Sequence, residues 1–485
     1  MASVLPSNLS FFMSRLQGVS TSHFKVNPQT TSSVGPNNLI RFELPSNTLL
    51  NFRSIRLLFN ANCTGAGISL PNDISSLIER VSVYIGGVLV ANGFNGYNTL
   101  VHGKAALQGY KCGALAHPEM VRKVNYHSGI TTVLADGDPE AQADADGLYY
   151  YCIDNFEGFL GSIEPSIMDT GLVSTIVIEI ALADATVCSV SKTRELPALI
   201  PATQTDGSGG FDFIGDNSTA PTYAITNMTM QVEVLSLATN VIDTIVEQRV
   251  AQVGYLSIPF KNYFSFSNTH TNTTRFNVNS ASWDRLWVVY RNKNYATKHA
   301  PVRIKGYKTV GAFVGPATGF SNAVTTFTRD IGVPEYDFGG VLNNNCEKYK
   351  PFYFNFTELK GVDTSGNVTP ATRTTYQLQI NSANVPSYPL TAPEVYAMSM
   401  NSLDYYDKNH KISLHQYKMN YFVQCFRFCL PDSDYSRLAS GLDCRGVSSS
   451  CSLNTTGVSE CNVTMFAECT SELRVGAGRQ LEVIV

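Results

Sequence analysis

Charge is scarce in this sequence. Only 15% of its residues are Asp, Glu, Lys or Arg, against about 25% in ordinary globular chains. Helical bundles and coiled coils, which need many charged helix formers, are excluded as the main architecture. The 35 basic residues fall short of the 39 acidic ones, and no basic run stands out. A surface that grips nucleic acid directly needs a basic excess. Long apolar runs are absent too: the richest stretches, Leu172–Leu182 and Leu286–Tyr290, are too short or too polar to cross a bilayer as a helix. The first residues show no basic segment followed by an apolar one, so synthesis in the cytosol is expected.

Catalytic signatures are equally sparse. None of the eight histidines has H-E-x-x-H spacing, and no Ser sits in G-x-S-x-G. The acidic loop with Asp136, Asp138, Glu140, Asp144 and Asp146 does not meet the ligand spacing of an EF-hand and reads as a solvated loop. Six of the 11 cysteines lie near the end, at Cys425, Cys429, Cys444, Cys451, Cys461 and Cys469. Their gaps match no standard zinc spacing. Cys461 and Cys469 share a strand face with Val463 and Met465, which suits packing as small hydrophobes; disulfides are the alternative. Trp283 and Trp287, the only tryptophans, read as core or subunit interface rather than a sugar platform. No catalytic, cofactor-binding or metal-ligating residue is assigned, and the chain is not expected to be an enzyme.

Period-two alternation is abundant. Arg41–Leu44, Ile176–Leu182, Met228–Val234, Tyr376–Ile380, Cys461–Met465 and Leu481–Val483 all alternate apolar and polar residues. Such half-buried strands belong to antiparallel sheets. Val81–Ile85 runs through Gly86 and Gly87 into Val88–Ala91, a hairpin whose glycines supply positive φ. Helices are few: Tyr97–Leu107, Pro393–Leu403 and Asp432–Ser440. The first two expose an internal echo. A strand precedes a helix by 16 positions in one half (Val81 to Tyr97) and by 17 in the other (Tyr376 to Pro393). The expected fold is all-β: two tandem jelly-roll sandwiches with loop insertions and a few short helices. The expected divisions are an N-terminal arm over 1–20, a first jelly roll over 21–245 with an insertion at about 111–170, and a second over 246–485. Ala135–Gly147, Thr203–Pro221 and Asp363–Thr372 read as loops, and Asn240–Val253 as the join.

The run Ile78–Val90 with its Gly86-Gly87 turn, followed by Gly96, Tyr97, Asn98, Thr99 and Leu100, resembles the first jelly roll of double-jelly-roll major capsid proteins. That family includes those of virophages, Polinton-like viruses, adenoviruses, large algal DNA viruses and tailless phages. Ser440, Gly441, Leu442, Asp443 and Arg445 are similar to a turn late in the second jelly roll. The resemblance implies a virion protein that partners itself. Homotrimers would form pseudo-hexagonal blocks tiling an icosahedral shell around double-stranded DNA. It implies penton and minor capsid proteins as further partners and no cofactor. Contact with an internal membrane is left open. The competing readings are a penton, spike or minor capsid protein, and a carbohydrate-binding or glycoside-cleaving β-sandwich.

Overall fold

The structure is a computed structural model. It describes residues 19–108, 150–190, 222–237, 250–292, 374–402, 422–456 and 461–485 apart from short internal gaps, with isolated segments between. The acidic loop at 136–147, the loop Asp363–Thr372 and nearly all of the helix expected at Asp432–Ser440 lie outside the described residues.

Eight strands build the first sandwich: β1 (Val19–Val26), β2 (Leu39–Glu43), β3 (Leu49–Thr64), β4 (Ile78–Ile85), β5 (Val88–Ala91), β6 (Tyr150–Ile153), β7 (Ile176–Leu182) and β8 (Thr222–Leu237). Helix α1 (Tyr97–Gln108) follows β5, and α2 (Phe159–Ser162) follows β6. Eight more build the second: β9 (Tyr255–His270), β10 (Thr273–Asn277), β11 (Trp283–Asn292), β12 (Tyr376–Ile380), β13 (Ala383–Leu390), β14 (Val423–Arg427), β15 (Ser450–Thr455) and β16 (Cys461–Gly476). Helix α3 (Ala392–Asn401) follows β13.

The sheets run β1-β8-β3-β6 and β2-β7-β4-β5 in the first half, and β9-β16-β11-β14 and β10-β15-β12-β13 in the second. Adding eight to each strand of the first half reproduces the second, and a helix follows the fifth strand in both. All of these pairings are antiparallel. This is the jelly-roll order, two sheets of four main strands each, used twice; the short strands Ser33–Val34 and Ile167–Asp169 extend the first large sheet and Leu481–Ile484 the second. The internal echo is therefore architectural. Even its turns agree: Gly86 and Gly87 have φ of 59° and 80°, while Asn381 and Ser382 reach 48° and 70° at the matching hairpin. Two positive φ values give the tight turn that suits twisted strands.

The cores follow from alternation. Met228, Met230, Val232 and Val234 are buried and the residues between them are half-buried; Ile176, Ile178, Ile180 and Leu182 face the same core. In the second half, Cys451, Cys461, Val463, Met465 and Cys469 are buried in the core, the cysteines occupying places that small hydrophobes fill. Burial pushes the Cys469 thiol up to about 12.

Three boundaries need correction. The stretch 111–170 is not an insertion throughout, because β6 pairs with β3, and Ile167–Asp169 pairs with β3 as well. These residues read as loop because the strands are too short to show a period. The arm expected over 1–20 gives way to β1 at Val19. Within Thr203–Pro221, Gly210–Phe213 pairs with Val302–Lys305 of the second half. The join is bracketed by the end of β8 at Leu237 and the start of β9 at Tyr255.

Candidate functional site at the seam between the sandwiches

Among the described residues, neither of the two described cavities gathers the buried charged side chains. The seam between the two halves of the chain does. Helix α1 belongs to the first half but lies on the outer face of the second half's large sheet. Its contacts recur at helical spacing, as one face of an α-helix requires. Gly96, at φ 81°, comes so close that a Cβ would stand 3.3 Å from the Phe466 ring; at Gly103 it would stand 3.2 Å from Val423. Between them Arg291 donates to Thr99 Oγ1 at 2.7 Å. Phe94 completes the contact, with ring centroids 5.1 Å from Tyr263 and 5.7 Å from Phe466.

One turn on, Lys104 carries the only cation of α1 into this seam. Its Nζ donates to Glu157 Oε2 at 2.6 Å and to the Tyr263 hydroxyl at 3.0 Å. It also lies 5.7 Å from the centre of the Trp287 ring, a favourable cation–π position. Beneath it, Arg285 pairs with Glu468 at 2.8 Å, and Trp287 Nε1 donates to the other Glu468 oxygen at 2.8 Å. Burial alone would raise the Glu468 carboxyl, but Arg285, Lys104, Lys261 and the Trp287 hydrogen bond together hold it at about 2. Burial alone would lower Lys104; Glu157 and Glu468 outweigh it and raise it instead. Both groups stay charged, so the cluster is a set of satisfied buried ions. Removing one member would strand another, which costs far more than the whole set contributes.

The second clamp is α2. Phe159 stands between Phe52 of the first half and Phe260 of the second, with centroids at 5.8 and 5.0 Å. The Lys261 amide donates to Ser162 Oγ at 2.7 Å and the Glu164 amide to the Pro259 carbonyl at 3.2 Å. These bonds cap β9, an edge strand that would otherwise offer bare backbone to other chains. The opposite edge, β14, is capped by α3: Ser399 Oγ accepts from the Cys425 amide at 3.1 Å and Ser402 Oγ donates to its carbonyl at 2.9 Å.

A further polar cluster fixes the late turn. Asp284 accepts from Lys261 at 2.8 Å, from Thr470 at 2.5 Å and from Ser282 at 2.9 Å. The Gly441 amide then donates to Ser282 Oγ at 2.9 Å. A Cβ on Gly441 would fall 2.5 Å from Asp284 Oδ1 and 2.6 Å from the Trp283 carbonyl, which is why glycine stands in that turn.

Chemistry finds little room here. The seam cavity, lined by Val81, Phe94, Tyr97, Glu157, Asn262 and Tyr263 among others, holds about 20 Å³, space for one water. Ser76 Oγ and His102 Nε2 pair like a nucleophile and base, but both are buried and line neither described cavity. With the Asn98 bond to the Ser76 carbonyl at 3.1 Å, they tie the turn Ile74–Leu77 to α1. Among the described residues no three His, Cys, Asp or Glu side chains are grouped to hold a metal, and no helix is long and apolar enough to cross a membrane. Trp283 and Trp287 are both buried, so neither is a sugar platform; Trp287 serves the seam. Lys104, Glu157, Arg285 and Glu468 were not singled out from sequence. The usable signal was a lone Lys in the small and apolar run Val101–Leu107.

No protein-family model matches this chain, and no curated protein does. Solved structures do. PBCV-1 VP54, fitted into a reconstruction of the virophage Sputnik, aligns with a TM-score of 0.53 at 14% identity, covering 97% of this chain and 98% of that one. The Sputnik virophage structure aligns over 100% of this chain and 93% of its own, at 10% identity and a TM-score of 0.48. The mavirus major capsid protein covers 99% and 93%, at 10% identity and 0.44. The strand order established above and the end-to-end match to PBCV-1 VP54 agree: this chain has the double-jelly-roll fold.

Proposed function

We propose that this chain is the major capsid protein of an icosahedral double-stranded DNA virus, assembling as homotrimers that tile the shell as pseudo-hexagonal blocks. The observation that carries this reading is the duplication welded along one seam. Two sandwiches of identical strand order, held by Lys104, Arg291, Phe159 and the glycines of α1, form one block with two similar walls. Three such blocks about one axis present six similar walls, which pack hexagonally without six chains. The double-jelly-roll fold shared with PBCV-1 VP54, a protein fitted into a reconstruction of the virophage Sputnik, supports the same reading. A water-sized seam cavity and a scarcity of charge suit a structural role, with surface burial as the working chemistry and no catalytic step. The virion is the site of action, and penton and minor capsid proteins are further partners. Size-exclusion chromatography with light scattering tests it: a mass near three times 53.0 kDa, or a far larger shell, is expected. A monomer that persists across micromolar concentrations, salt and pH would overturn it.

A further inference from the structure

The stretch that leads into the seam carries a chemically labile bond. Asn-Gly pairs occur only twice in the chain, at Asn92-Gly93 and Asn95-Gly96, and both stand between β5 and α1. Glycine has no Cβ to crowd the side chain before it, so its amide nitrogen can reach and attack the asparagine Cγ. Asn95 is exposed to water.

Gly96, the attacking partner, is held from three directions. Its N–H donates to Glu79 Oε1 of β4 at 2.8 Å. Its carbonyl accepts from the Leu100 amide at 3.1 Å. Its Cα lies so close to the second half that a built Cβ would stand 3.3 Å from the Phe466 ring. Glu79 belongs to the same seam: burial raises its carboxyl, while the Gly96 amide and Arg291 of the second half pull the other way. The flanking residues are fixed too. Phe94 packs on Tyr263 and Phe466, and the Tyr97 hydroxyl accepts from the Glu157 amide at 2.9 Å. With Gly96 pinned and its N–H engaged, the nitrogen cannot turn onto Asn95 until α1 lifts from the seam.

We propose that Asn95 is a site of spontaneous deamidation that the closed seam suppresses, and that the modification, once made, keeps the seam from closing again. In the reaction the Gly96 nitrogen gives up its proton and bonds to Asn95 Cγ. The Cγ–Nδ2 bond breaks and ammonia leaves with that proton. Water then opens the resulting succinimide. Opening at Cγ leaves aspartate; opening at the backbone carbonyl leaves isoaspartate, whose chain runs through Cβ and Cγ. Isoaspartate lengthens the backbone by one carbon between Phe94 and Tyr97. Both of those rings are buried, and Phe466 leaves no space beside Gly96 to take up the added atom.

Peptide mapping of the full chain by mass spectrometry, after storage in mildly alkaline buffer, tests both parts. Conversion of amide to acid at Asn95 should be at least about tenfold slower in the native protein than in urea, as for a group that reacts only from an opened state. Glu79→Ala frees the Gly96 N–H, and Gly103→Leu lifts α1 from its other end; each should raise the native rate severalfold, and either alone suffices if the other does not fold. Protein aged in urea should regain the native state in a smaller fraction than protein freshly unfolded. In Asn95→Gln, whose longer side chain closes the ring far more slowly, aged and fresh samples should agree. No conversion at Asn95 in urea overturns the site. Equal rates in buffer and urea, or a native rate that neither variant moves, overturn the control by the seam. Aged wild type that refolds as fully as fresh protein, or aged Asn95→Gln that fails equally, overturns the one-way closure.

Discussion

Gly103 of α1 faces Val423 of β14 across the seam with space for a hydrogen and nothing more: a Cβ there would stand 3.2 Å from Val423 Cγ2. Glycine inside a helix costs about 0.5–1 kcal/mol relative to alanine, so the close approach of the sandwiches offsets a local penalty. Gly103→Leu should therefore wedge the halves apart and destabilise by about 1–3 kcal/mol, the usual range for overpacking. Urea unfolding checks it, with the midpoint expected to fall. An unchanged midpoint would mean that α1 does not seat on β14.

Lys104 and Glu157 should be worth little as a pair and much as individuals. Lys104→Met strands Glu157 near a seam that is almost dry and removes one of the positive charges that favour ionised Glu468, and Glu157→Gln strands the ammonium. Each single change should cost about 2–4 kcal/mol, and the double variant should cost clearly less than their sum. A double-mutant cycle in urea reads the coupling. Strictly additive losses would show that the two side chains do not meet.

The matched hairpins respond in opposite directions. Gly87 has φ 80° with nothing within 4 Å of a built Cβ, so Gly87→Val meets no clash and pays only for backbone conformation, about 1–2 kcal/mol. Ser382 already sits at φ 70°. Ser382→Gly relieves that strain and should raise the melting temperature, by about 0.5–1 kcal/mol in stability. Calorimetry on both variants, read as a fall and a rise, is the check.

His270 ties stability to acid. Its ring is buried between Thr274 and Thr455, with nitrogen-to-hydroxyl distances of 2.7 and 2.6 Å, and burial lowers it from 6.5 to about 4. The unfolded chain takes up a proton near pH 6.5 while the folded one waits until about 4. Stability from this site is thus full above pH 6.5, falls as pH drops toward 4, and changes no further below it. The loss should be on the order of 2 kcal/mol. His270→Gln should flatten that part of the stability profile between pH 6.5 and 4; an identical slope in the variant would remove His270 as its source.

Strand positions were legible because alternation is a local property. Ile176–Leu182 and Tyr376–Ile380 coincide with β7 and β12 to the residue. The two helices preceded by hairpins were legible through their turns and, at Pro393, through proline early in the helix. The seam was not legible. Thr464, Phe466 and Glu468 read as the outward side of an alternating strand, and they do point outward; what covers them is a helix some 360 positions earlier in the chain. Nothing in the neighbourhood of Glu468 announces Lys104. Short β6 was lost for another reason, since four residues carry too few periods to separate a strand from loop.

The central claim is that one chain supplies two walls of a six-walled block. Negative-stain imaging of the purified protein tests it most directly. The account predicts particles with a near-hexagonal outline whose class averages carry three-fold symmetry, two lobes per subunit, either free or tiled into sheets and shells. A field of isolated two-lobed monomers, or of dimers with no three-fold class, would contradict it.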